Sequence, residues 1–126
     1  MYVYYNPNPN KSASKKNDCV VRAISRVLNK RWTRVYDELS SLGRRLGDWG
    51  CYFTVWGPYL RERGFKKYTI PNYCPDCYTI ADFARDNPYG SFLVATDSHV
   101  VAVVDGDIYD SWDSSNEVPI FYLTKE

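Results

Sequence analysis

The chain of 126 residues contains a single histidine, and none of its apolar stretches approaches the roughly 18 to 20 residues that a membrane-crossing helix needs. The scarcity of histidine means that any imidazole-dependent chemistry has to use His99. The lack of a long apolar run excludes a membrane span. The opening Met1-Tyr2-Val3-Tyr4-Tyr5-Asn6-Pro7 has neither the basic start nor the apolar core of a secretion signal. A cytoplasmic location follows as the expectation, with Cys19, Cys51, Cys74 and Cys77 reduced. Net charge is only +1, which excludes a uniformly basic or acidic polymer-binding chain.

Aromatic residues are abundant, with twelve Tyr and four Trp, enough to build a core within the compass of one domain spanning residues 1 to 126. Charge is unevenly spread. Residues 1 to 67 hold fourteen Lys and Arg against five Asp and Glu, whereas residues 68 to 126 hold two against ten. No nucleic-acid motif accompanies the basic half, so the asymmetry is read as helices carrying cations and hairpin turns carrying aspartates, without a nucleic-acid partner.

Residues 2 to 5 read as a short strand and Asn6 to Lys16 as a turn-rich stretch. Val20, Ala23, Ile24, Val27 and Leu28 recur at helical spacing and predict a helix from Cys19 to Asn29, capped by Asn17 or Asp18. A second helix is predicted over Thr33 to Leu46 with Thr33 as its cap, and a third over Thr54 to Arg63, stopped by Gly64. A short extended piece at Tyr68 to Ile70 and a helix over Tyr78 to Arg85 come next. Strands are then predicted at Phe92 to Thr96, His99 to Val104, Ile108 to Trp112 and Pro119 to Leu123. Helices first and antiparallel strands afterwards define an α+β domain, the N-terminal helices packed on a C-terminal antiparallel sheet.

Cys19 falls in the first turn of its helix, where open backbone N–H groups and the helix dipole favour a thiolate. A thiol of that kind becomes a nucleophile when an imidazole lies within hydrogen-bond reach and a third group orients the ring. The third group belongs to the strand that returns beside His99, and the turn decides which residue it is. A two-residue turn at Asp105-Gly106 sets His99 opposite Trp112, with Asp110 as the diagonal neighbour on its face. A three-residue loop ending at Gly106 sets His99 opposite Ser111 and places Asp113 on its face, and a loop of Asp105 to Asp107 sets Asp113 directly opposite.

Asp18-Cys19 opening a helix, His99 on a later strand and an acidic residue on the next resemble the papain-like cysteine peptidase superfamily. The likeness covers roughly residues 17 to 115 and is greatest to small members, such as bacteriocin-leader peptidases and short papain-like proteins of bacteria and phages. The resemblance implies Cys19 as nucleophile, His99 as general base and acid, and Asp113 or Asp110 as the orienting residue. Asp110-Ser111-Trp112 is similar to the Asn-Ser-Trp segment of papain relatives, in which the Trp shields the histidine contact. The separation from His99 is, by contrast, the family's for Asp113, and Asp113 is the residue expected here. Family members carry a Gln several residues before the cysteine, whereas Ala13 stands six positions before Cys19, so Asn17 is the candidate oxyanion donor. Loss of one such donor typically costs about 2.7 to 4 kcal/mol of transition-state stabilisation.

The activity implied is that of a cysteine peptidase or isopeptidase acting on a peptide or protein substrate through a thioester, with no cofactor. A binding or inhibitory protein of a phage or mobile element, using the same fold without turnover, is the alternative. Cys74-Pro75-Asp76-Cys77 has the spacing of half a zinc site or a redox pair but reads as a plain turn, so no metal is assigned. Trp49 and Trp56 are candidates for a groove wall, and Lys11, Lys15 and Lys16 for steering an acidic substrate or lowering the thiol pKa.

Overall fold

The computed structural model describes residues 1–10 and 17–125. Among the described residues four helices and six strands follow one another as β1 (Tyr2–Tyr4), α1 (Cys19–Leu28), α2 (Trp32–Leu46), α3 (Phe53–Arg61), β2 (Phe65–Thr69), α4 (Ile80–Asp86), β3 (Ser91–Ala95), β4 (Val100–Val104), β5 (Asp107–Asp110) and β6 (Phe121–Lys125). The strands form one sheet in the order β1-β5-β4-β3-β6-β2. An α+β architecture is therefore present, but the sheet is mixed: β1 joins its edge parallel to β5, while the other neighbours are antiparallel. The expectation of a purely antiparallel sheet missed this because a three-residue strand carries no mark of its partner's direction.

Every residue of β4 is buried, which explains its unbroken Val-Val-Ala-Val-Val run: the strand is central and covered on both faces. Val100 and Ala102 face a core shared with Val20, Ile24, Val35, Leu39, Val55 and Leu60 of α1 to α3. Val101 and Val103 pack with Ile80, Phe83 and Ala84 of α4 on the other side. The period-two alternation of a strand thus divides the interior into two layers.

The helices end as their chemistry dictates. Asn29 closes α1 and Gly47 closes α2, both in the left-handed conformation that these two residue types tolerate best. Thr79 and Asp82 form a reciprocal capping box at the start of α4. Thr33 is not a cap, since α2 begins at Trp32 with Arg31 before it. Asp18 occupies the N-cap position of α1 but makes no capping bond, because its carboxylate is drawn elsewhere. Cys74 and Cys77 are joined as a disulfide, correcting the expectation of reduced thiols at these positions: the turn between them brings their Cα atoms to 4.4 Å. No helix among the described residues is long and apolar enough to cross a membrane.

Candidate active site

Hairpin geometry fixes the centre of the site. Val104 pairs with Asp107 and Val103 with Ile108, leaving Asp105-Gly106 as a two-residue turn. Both turn residues have positive φ, 50° and 81°, as a primed turn requires. Continued past the last paired residues, this register sets His99 opposite Trp112, and their rings lie 4.8 Å apart. Asp110 is then the diagonal neighbour of His99, and its Oδ2 lies 2.6 Å from His99 Nε2.

Asp113 is therefore not the partner of His99. It lies past the end of β5, and its carboxylate accepts hydrogen bonds from the Ser115 backbone and hydroxyl. A loop one residue longer would have put it on the histidine's face; the left-handed pair at 105 and 106 closes the turn in two.

The Asp110 carboxylate is held from four directions. Oδ2 also accepts from Ser114 Oγ at 2.6 Å, and Oδ1 accepts from Arg22 Nη2 at 2.9 Å and from the Ser111 backbone at 2.7 Å. Burial raises its pKa, but the bonds from His99 and Ser114 and the charges of His99 and Arg22 outweigh that, and the group stays anionic below the usual carboxylate range. Its backbone is also fixed: the Asp110 carbonyl accepts from the Tyr5 N–H at 2.8 Å and from the Tyr2 hydroxyl at 3.2 Å. The short parallel strand β1 is thus a clamp on the end of β5.

Arg22 joins this carboxylate to a second. Its Nη1 reaches Asp18 Oδ1 at 2.5 Å, and Asp18 Oδ2 accepts from Trp32 Nε1 at 3.0 Å and from Asn8 Nδ2 at 3.3 Å. Asp18, Arg22 and Asp110 are all buried. A buried cation between two buried anions leaves neither charge unpaired. The one mark of Arg22 in the sequence is its place four residues after Asp18 across the start of α1, the spacing at which an acid and a base meet. Ser114 had no comparable signal.

Cys19 opens α1, which lies across β4. The thiol is partly buried and unoxidised. Burial pushes its pKa up, yet hydrogen bonds with the His99 ring and the Val100 backbone N–H, helped by the charges of His99 and Arg22, carry it below the ordinary thiol value. For His99, burial acts downward, but the bonds to Asp110 and Cys19 prevail and raise its pKa to about 9. With Nε2 committed to Asp110, Nδ1 is the ring nitrogen left for the thiol. Both shifts act in the direction of a thiolate beside an imidazolium.

Asn17 is exposed at the bend just ahead of α1. Trp56 belongs to the core and is no groove wall, whereas Trp49 is exposed, as is Trp112 over the His99 ring. Ala13, Lys11, Lys15 and Lys16 lie outside the described residues. Groups of three or more His, Cys, Asp or Glu side chains placed to hold a metal ion are absent among the described residues. Compared with protein-family models, curated proteins and solved structures, the chain matches none.

Proposed function

We propose that Cys19, His99 and Asp110 form the catalytic triad of a papain-like cysteine peptidase or isopeptidase. The observation that carries this reading is the His99 ring, bonded through Nε2 to a buried aspartate at 2.6 Å and close enough to the thiol at the N-terminus of α1 for each group to shift the other's pKa. A structural histidine needs one such partner. The chain's only imidazole has both, in the order nucleophile, base, orienter that acyl transfer requires.

The Cys19 thiolate attacks the substrate carbonyl, and the developing oxyanion is met by the Cys19 backbone N–H at the open end of α1, with Asn17 close by in the chain. The His99 imidazolium gives its proton to the leaving amine, which departs as the C–N bond breaks and a thioester remains. Neutral His99 then takes a proton from water, whose oxygen attacks the thioester, and the acid product leaves with the thiolate and imidazolium restored. Asp110 holds the ring in one orientation throughout, and Trp112 covers the ring from one side.

The test is alkylation of Cys19 by iodoacetamide near neutral pH in a Cys51→Ser background, which removes the other free thiol. His99→Ala is expected to slow it at least tenfold. Equal rates in both proteins would mark an ordinary thiol and favour the binding-protein reading.

A further inference from the structure

A groove of about 580 Å³ lies between α3 and the β2–β6 edge of the sheet, with Phe53, Pro58, Phe65 and Leu123 as apolar walls and Arg61 and Lys67 as exposed cations. Among the described residues no carboxylate lines it. Lys67 Nζ stands 5.1 Å from the Phe53 ring centroid and 4.6 Å from that of Phe121, so its charge is presented over aromatic surface. Gly57 makes room for this arrangement, since a Cβ there would meet the Phe53 ring at 2.9 Å.

The groove and the thiol lie against the same core cluster, on one side of the sheet. Val100, whose N–H faces Cys19, pairs with Ala95, and Ala95 pairs in turn with Phe121. Two strand spacings separate Val100 from Phe121, about 10 Å. An extended peptide advances about 3.3 Å per residue, so a chain with its carbonyl at Cys19 reaches the Phe121–Lys67 wall roughly three residues away. Phe121 and Cys19 also pack on the same core cluster.

From this we infer that the groove is a specificity subsite for an acidic peptide segment, one in which glutamate or aspartate alternates with apolar residues. The carboxylates meet Arg61 and Lys67, and the apolar side chains lie on Phe53 and Leu123. The inference rests on the triad reading only in calling the ligand a substrate, because the charge preference itself is measured without turnover.

The experiment uses the full chain carrying Cys19→Ala and a short fluorescein-labelled peptide alternating glutamate with leucine, beside its lysine-for-glutamate counterpart. Fluorescence polarisation is expected to show the acidic peptide binding at least tenfold more tightly at low salt. The preference should disappear in Arg61→Gln/Lys67→Gln and reverse in Arg61→Glu/Lys67→Glu. These positions are exposed, so both variants should fold as the parent does. Equal binding of the two peptides, absence of binding by both, or a preference that survives charge reversal overturns the inference. A failure here leaves the His99-dependent alkylation of Cys19 untouched, and a failure of that alkylation leaves the peptide preference standing, so the two readings fall separately.

Discussion

Replacing Asp110 by asparagine keeps the side chain's shape and removes its charge, and the single histidine makes the consequence directly readable. The His99 pKa of about 9 stands above the ordinary 6.5 although burial acts in the opposite direction. Hydrogen bonds and charges from Asp110 and Cys19 therefore outweigh burial, and the net rise corresponds to about 3 kcal/mol between the two protonation states. Asp110 is the larger contributor, so Asp110→Asn should bring the titration to 6.5 or below. Cys19→Ala should lower it less. Asp113→Asn should leave it unchanged, since Asp113 bonds to Ser115. The imidazole ¹⁵N resonances, free of overlap with any other histidine, give the midpoint by NMR across pH 5 to 10. In the wild type this midpoint belongs to the coupled thiol–imidazole pair. Because the folded-state pKa is raised, the stabilisation is complete below pH 6.5 and is lost as pH rises through about 9. A midpoint near 9 that persists in Asp110→Asn, or that moves as far in Asp113→Asn, would refute the assignment of Asp110 as the residue that orients and charges the ring.

Three further outcomes follow from the same geometry. Cys19 should have its thiolate midpoint, followed by thiolate absorbance at 240 nm in the Cys51→Ser protein, below the usual thiol value, and His99→Ala should raise it because the lowering by the ring is lost while burial still acts; an unchanged midpoint would deny the thiol–imidazole contact. Arg22→Met should destabilise the fold by about 3 to 5 kcal/mol in urea titration, because Asp18 and Asp110 then share a buried space with no cation between them; a loss under 1 kcal/mol would show the network to be dispensable. Gly106→Ala should cost about 1 to 2 kcal/mol of stability, since its φ of 81° brings a Cβ close to the carbonyl oxygen, and an unchanged urea midpoint would deny the primed turn.

Much of the chain's local organisation can be read from its residues. The apolar spacing of Val20, Ala23, Ile24, Val27 and Leu28 marks α1 to within a residue of its end, and the Val-rich run after His99 marks a strand covered on both faces. Helix starts were less legible. Thr33 has the chemistry of a cap, but α2 extends back to Trp32, whose indole N–H bonds to Asp18. Asp18 likewise has a capping side chain that is recruited by Arg22, Trp32 and Asn8. Long-range partners outbid the local ones, and periodicity carries no information about them.

By itself the sequence determined that any imidazole chemistry here uses His99, that Cys19 opens a helix, and that an Asp-Gly pair turns the strand after His99 back on itself. Only the tertiary structure decided between Asp110 and Asp113, set β1 parallel against β5, and brought Arg22 between two carboxylates. The physical reason is the two-residue period of a strand. One residue more or less in a turn sends every later side chain to the opposite face, and the φ angles that fix that count are settled by how the whole sheet closes.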